Sequence, residues 1–475
     1  MKRVLYKLLL VSGGLSWVLL PVWLFWGDTL AREANEGRAE LVGGLADRYI
    51  ASQAAPAPAA GEVKTVAGLH HIPIQRDEVV AGIFRASGVA NSYLIATPEG
   101  NVLFDGGLAT QAAKQKRFLQ EAAPGDLKFI ILSHSHADHI GATKFWLREY
   151  PEAQVITHER FAEGQRYLTD LQPYFWNRNR LLYTFMPEAP AEPGALFAYG
   201  GIKADITVGP AGDYAFTLGG RRFNVVAAPG AEGDDNLVLW LPDERVLFSG
   251  DVFGPLFPML PNLFTLRGEK FRDPLAYVAT LDKLIGLAPE RVLPSHFDPV
   301  TGADEIAASL HLMRDATRYV HDATVDGMNA GKSLWQLMDE IRLPESLAVS
   351  QGHGKVSWNV RSIWEYYSTW FHFESTTELY AVPVSGVYKA LAEMASVDSL
   401  TLAAQRALEA DEPERALHFL EIAEAAGTQQ DSLSRLKIQA LEALLARARA
   451  ETGNFSEVSW LQSRISLARS ALSSR

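Results

Sequence analysis

Ser133-His134-Ser135-His136-Ala137-Asp138-His139 follows directly on the apolar run Phe129-Ile130-Ile131-Leu132. A short apolar run of this kind reads as a buried strand. The polar stretch then falls where that strand ends and a helix begins, on a loop carried by a rigid scaffold. The chain has 12 histidines in 475 residues, so three of them beside a carboxylate in six positions are poorly explained as a His-rich solvated loop. Neutral imidazole and carboxylate are ligands that zinc, iron or manganese accept. His134 and His136, two apart, point to the same side of an extended segment. Asp138 and His139 fall where a helix can start, and Asp is favoured near a helix N-terminus. Two ligand pairs of different orientation suit two adjacent metal ions, which can clamp a substrate oxygen and activate water at neutral pH.

Working outward, one apolar segment upstream ends in an aspartate-containing turn and three downstream each end in a candidate ligand. Upstream is Val102-Leu103-Phe104-Asp105-Gly106-Gly107. Downstream come Ala228-Pro229-Gly230-Ala231-Glu232, Leu247-Phe248-Ser249-Gly250-Asp251 and Leu293-Pro294-Ser295-His296. Taken alone, Glu232 could be a surface carboxylate beside Asp234 and Asp235, Asp251 could cap a helix, and His296 is a lone histidine. The order and setting of these segments, however, resemble the metallo-β-lactamase superfamily. Most of that superfamily has a histidine directly after the Pro-Gly, where this chain has Ala231. A glutamate one position later, Glu232, resembles the alkyl sulfatase branch, whose members hydrolyse detergent-like sulfate esters.

Pro261-Asn262-Leu263-Phe264-Thr265-Leu266-Arg267-Gly268 resembles the sulfate-binding segment of that branch. Tyr319-Val320-His321-Asp322, Leu343-Pro344-Glu345-Ser346-Leu347 and Val356-Ser357-Trp358-Asn359-Val360 resemble its helical dimerisation region. The resemblance implies an αββα sandwich and two zinc ions per chain. It assigns His134, His136 and Glu232 to one ion, Asp138, His139 and His296 to the other, and Asp251 to a bridging position. Asp138 and Asp251 are then the catalytic carboxylates. Asn262 and Arg267 hold the anionic group of a small-molecule ester, cleaved by a metal-activated water, and the partner is a second copy of the chain. Arg267 also has Glu269 within salt-bridge reach, but a planar guanidinium suits an oxyanion. Two positions depart from the branch at the substrate end of the site. Phe297 stands where a second histidine is usual, and Gly352-His353-Gly354 replaces a tyrosine-rich turn. The sterol-carrier-like C-terminal domain of longer members is not expected before the last residue, Arg475. A lactone, lactam or phosphoester hydrolase therefore stays open, as does a non-catalytic membrane-tethered scaffold. The other histidines, among them His70, His71, His158, His311, His321, His372 and His418, lack such company and read as structural.

A net charge of -12 disfavours a nucleic-acid partner, because phosphate binding needs a concentrated basic surface. The absence of cysteine rules out disulfides and thiolate metal sites. Lys2, Arg3 and Lys7 precede an uncharged, Leu-, Val- and Trp-rich segment from Leu8 to Trp26, close to the ~20 apolar residues that span a bilayer. The flanking cations favour a cytoplasmic N-terminus. Residues 1–27 are therefore expected as a transmembrane anchor at the inner membrane, with the catalytic domain in the periplasm or outside the cell. A cleaved signal segment is the competitor, against which Phe25-Trp26-Gly27-Asp28 is a poor cleavage site.

Residues 28–64 read as a helix and an Ala/Pro-rich linker, 65–302 as the catalytic domain, and 303–475 as a helical dimerisation domain. Pro242-Asp243-Glu244 between two apolar runs is a hairpin signal. The aromatic, proline-rich stretch from Pro173 to Gly201 fits an active-site flap or dimer arm. Helices are expected over Ile306–Val325, Ser333–Ile341, Val360–Phe371 and Val387–Leu408. Another opens at Asp411, as cap, with Pro413 in its first turn. The tail to Ala471 has the look of a helical hairpin array.

Overall fold

In the computed structural model, residues 37–52 and 66–473 are described, apart from 184–185, 187, 193–194, 196, 210–211, 231 and 428–429. The first sheet has seven strands in sequence order: β1 (Arg76–Val80), β2 (Ile83–Ala86), β3 (Ser92–Thr97), β4 (Gly100–Phe104), β5 (Leu127–Ile131), β6 (Gln154–His158) and β7 (Ile206–Val208). The second has six: β8 (Tyr214–Leu218), β9 (Arg221–Ala227), β10 (Leu237–Leu241), β11 (Val246–Gly250), β12 (Arg291–Pro294) and β13 (Val300–Thr301).

Strand periodicity sorts the apolar side chains into layers. Val102, Phe104, Ile131 and Ile156 of the first sheet meet Phe223, Val225, Leu237, Leu239 and Phe248 of the second in one core. Their neighbours Leu103, Ile130 and Val155 face outward against Leu119, Phe145 and Trp146. On the far side, Val226, Val238, Trp240 and Leu247 pack on Tyr277, Leu281, Ile306 and Leu310, which belong to the helices Pro274–Leu287 and Ala303–Asn329. The result is an α/β sandwich of four layers, helix–sheet–sheet–helix. β10 and β11 form the antiparallel hairpin expected around Pro242-Asp243-Glu244.

β4, β5 and β6 run parallel, as do β11 and β12, while β9 and β11 flank β10 antiparallel. The carboxyl ends of β4, β5, β9, β11 and β12 therefore open onto one rim of the sandwich, with β10 running the other way, and there loops carry polar side chains without breaking the core.

Beyond β13 the described chain is helical to Ser473. The expected helix Val387–Leu408 is broken in two, Tyr388–Ala395 and Val397–Glu409. Ser396 between them has φ 67° and its side chain caps the second helix by accepting from Ser399 N. Asp411 does not act as the expected N-cap. It takes a left-handed φ of 58°, and Glu412 precedes the helix Pro413–Glu424, with Pro413 at its start. Helices Val397–Glu409 and Pro413–Glu424, and Asp431–Glu451 and Phe455–Ser473, make successive hairpins with cores at Ala404, Ala416 and Leu420, and at Leu441 and Leu461. Among the described residues no helix is long and apolar enough to cross a membrane; the expected anchor, residues 1–27, lies outside them, as do residues 53–65 of the linker.

Candidate metal centre

The turn after β5 carries His134 and His136, and the short helix Ala137–Ile140 carries Asp138 in its first turn and His139 in its last. His134 Nε2 lies 2.8 Å from His136 Nδ1. Asp251, one residue past β11, has Oδ2 3.3 Å from His139 Nε2 and 3.2 Å from His296 Nε2. Asp138 Oδ2 is 3.4 Å from His139 Nε2 and 3.6 Å from His296 Nε2. Two donor groups result, His134 with His139 and Asp251, and Asp138 with His139 and His296, each with its ligand atoms within 4.8 Å of one another.

These donors fit a bound cation. His139 Nε2 and Asp251 Oδ1 are fully buried without a hydrogen-bond partner, a costly arrangement unless something else completes them. Burial would lower His139, but the nearby carboxylates of Asp251, Asp138 and Asp105 outweigh it and raise its basicity well above the ordinary imidazole range. Burial would likewise raise Asp251, yet His296 and His139 hold it well below the usual carboxylate range. His134, by contrast, is pushed down by burial and then by His139 and His136, which keeps it in the neutral form that ligates.

Behind the donors sits Asp105, fully buried at the end of β4 with φ 55°. Its carboxylate accepts from Ser133 N at 2.7 Å, Ser133 Oγ at 2.8 Å and Ser295 Oγ at 3.1 Å, and pairs with His139 Nδ1 at 2.9 Å. His296 Nδ1 is held by the carbonyl of Val89 at 2.6 Å.

Glu232 arrives on the Pro229-Gly230 turn after β9. Gly230 has φ 98°, and a Cβ there would lie 2.5 Å from Tyr277 N, so the turn demands glycine. The structure sets Glu232 Oε2 3.9 Å from His136 Nδ1, outside the two tight donor groups. Its oxygens are taken by Arg272 at 3.0 and 3.1 Å, Arg267 at 3.2 Å and His353 at 3.1 Å. Burial would raise this carboxyl; Arg272, His353 and Arg267 together hold it well below its usual range. Arg267 also donates from Nε to Glu269 Oε1 at 2.8 Å, so the salt bridge read from sequence forms alongside the contact to Glu232. Asn262 is buried, its Nδ2 3.3 Å from His353 Nε2. The Gly352-His353-Gly354 turn reaches this far because a Cβ on Gly354 would come within 2.1 Å of the Pro261 carbonyl oxygen. Phe297 instead turns its backbone away with φ 60°, its carbonyl accepting from Arg85 and Asn91.

Sequence reasoning missed Asp105 as a site residue, although the aspartate turn was visible, and missed Glu269 and Arg272, which carry no motif beyond their nearness to Arg267. Above the cluster opens a cavity of about 480 Å³. Asp138, Asp251, His296, Arg267 and His353 line its floor. Its walls include Phe175, Trp176, Tyr183 and Tyr199 from the stretch expected as a flap, with Ile50, Leu69, Val89 and Phe455.

Such an αββα sandwich, with a histidine–carboxylate cluster on the rim at the strands' carboxyl ends, defines a class of sandwich folds with a candidate metal site on that rim. The sequence pattern of the metallo-beta-lactamase superfamily matches residues 86–296, and that of alkyl sulfatase dimerisation matches residues 334–456. The chain belongs to the metallo-β-lactamase superfamily, in its alkyl sulfatase branch. It is 31% identical over 337 residues to a linear primary-alkylsulfatase from Pseudomonas sp., covering 66% of this chain and 62% of that one. It is 22% identical over 346 residues to an alkyl/aryl-sulfatase from Saccharomyces cerevisiae, covering 66% of this chain and 52% of that one. The chain thus spans less than two thirds of these relatives. The solved structure of a stereoselective inverting sec-alkylsulfatase from Pseudomonas sp. shares the fold, with a TM-score of 0.71 at 20% identity, over 85% of this chain and 66% of that one.

Proposed function

We propose that the chain hydrolyses alkyl sulfate esters with two zinc ions. His134, His136 and Glu232 would hold one ion, Asp138, His139 and His296 the other, and Asp251 both. Bound zinc supplies a Lewis acid and lowers the pKa of water toward neutrality. The chain's own side chains do the rest. Asp105 fixes His139 through Nδ1, the arrangement that orients ligating histidines. Arg267 and Asn262 offer N–H donors to the sulfate oxygens, the guanidinium in a planar fork. The aromatic walls of the cavity exclude water and take the apolar part of the ester.

The single observation carrying this reading is the apolar cavity of about 480 Å³ floored by the histidine–carboxylate cluster and Arg267. Pockets that fix a ligand are largely apolar with a few convergent polar groups, and an amphiphilic ester matches both ends. The test is sulfate release from a primary alkyl sulfate by the zinc-loaded full chain, with Asp138→Ala as control. Equal rates in the two proteins sink the mechanism. Release of phosphate or of a ring-opened product in place of sulfate, across a substrate panel, replaces the alkyl sulfate with the other ester.

The same reading extends to assembly and location. Tyr366, Tyr367, Trp370, Phe373, Leu379, Tyr380, Val382 and Val384 are exposed within the dimerisation segment, Phe373 by 86%. An apolar patch of that extent marks an interaction surface, and the partner proposed is a second copy of the chain. The apolar segment Leu8–Trp26 would tether the dimer to the inner membrane, with the catalytic domains outside the cytoplasm.

A further inference from the structure

We infer that Glu269 is a positioning residue for the metal centre, one carboxylate that holds the far nitrogen of His136 and the guanidinium of Arg267 together. The inference rests on the proposed function only for the role of Arg267. His136 turns Nδ1 toward His134 Nε2 at 2.8 Å. Its opposite nitrogen, Nε2, lies 3.3 Å from Glu269 Oε2. A carboxylate on Nε2 keeps the ring proton there and leaves the Nδ1 lone pair facing His134, the tautomer that ligates through Nδ1. Because Glu269 approaches the side of the ring away from His134, it acts on the donor set through His136.

The second contact ties this histidine to the oxyanion donor. Glu269 Oε1 accepts from Arg267 Nε at 2.8 Å, and Oε2 accepts from Arg272 Nη2 at 2.6 Å. The side chain is 7% exposed, so these pairs are little screened by water. Arg272 in turn spans from Glu269 to Glu232. A shift of Glu269 therefore moves a proposed zinc ligand and a proposed sulfate donor together.

Glu269→Gln in the full chain tests this, with zinc itself as the probe in competition against a chromophoric chelator. Removing an outer partner of a ligating histidine costs about 10–100-fold in metal affinity. The expected result is a loss of that size in one of the two zinc-binding steps, a changed cobalt(II) absorption spectrum, and a raised KM for alkyl sulfate. Zinc affinity and cobalt spectrum equal to the parent's overturn the inference. If Glu269→Gln does not fold, Glu269→Asp carries the test: it keeps the charge and gives up one methylene of reach, so weakened zinc binding supports the inference and parental binding overturns it. A parent that binds zinc yet releases no sulfate defeats the sulfatase reading alone, since the affinities still compare.

Discussion

Asp105 Oδ2 lies 2.9 Å from His139 Nδ1, and the same carboxylate ties down Ser133 and Ser295. One buried side chain thus fastens three loops: its own after β4, the His134–His139 turn after β5, and the loop that presents His296 after β12. Asp105→Asn keeps the size but cannot accept at both oxygens, and it leaves a buried donor unpaired at about 1–3 kcal/mol. The expected outcome is zinc affinity down about 10–100-fold, read by chelator competition, with a lower thermal midpoint for the metal-free protein. Parental zinc affinity in this variant would show that His139 needs no such support.

Arg267→Lys tests the oxyanion donor. Lysine keeps the charge but loses the planar fork, which here directs Nε to Glu269 and Nη2 to Glu232. A charge-assisted hydrogen bond contributes about 1.5–3 kcal/mol, so KM for an alkyl sulfate rises by roughly ten- to a hundredfold, with kcat changed less. Steady-state kinetics on sulfate release decide it; an unchanged KM removes Arg267 from substrate binding.

What sequence could and could not supply follows from how each residue is recruited. The ligand turns were legible because each ends an apolar strand, and parallel pairing of β4 with β5 and of β11 with β12 brings such ends to one rim. Residues recruited by packing were not legible. Arg272 pairs with Glu232 across 40 residues of sequence, and Glu269 comes within 3.3 Å of His136, contacts that only the folded chain makes. Helix ends suffered for a related reason: at Ser396 and Asp411 the backbone turns left-handed without glycine, so periodicity ran straight through one break and capping chemistry misplaced the other.

The exposed segment around Phe373 makes a prediction about assembly. Trp370 is 66% and Phe373 86% exposed, and large aromatics of this kind dominate interface energetics. Trp370→Glu with Phe373→Glu places two like charges on a surface that would face its own copy. Sedimentation velocity is expected to show the parent as a dimer and the double variant as a monomer with an unchanged far-ultraviolet spectrum. A dimeric double variant moves the interface elsewhere.

His158 supplies a pH prediction away from the ligands. It ends β6, is 2% exposed, and its Nδ1 accepts from the Arg160 amide at 3.1 Å. Burial holds the imidazole below its ordinary value of 6.5. Between the depressed folded value and 6.5 the unfolded chain binds more protons at this site, so stability rises with pH there. The contribution is complete above 6.5 and is lost as pH falls from 6.5 through the folded value, at up to about 1.4 kcal/mol per pH unit. His158→Gln retains an acceptor for the Arg160 amide without a titrating ring. The fall in thermal midpoint of metal-free protein between about pH 7.5 and 5.5, values set around the reference pKa of His, is expected to be smaller in this variant than in the parent. Parallel curves for the two proteins would assign the acid sensitivity to other groups and leave His158 a passive part of the β6 end.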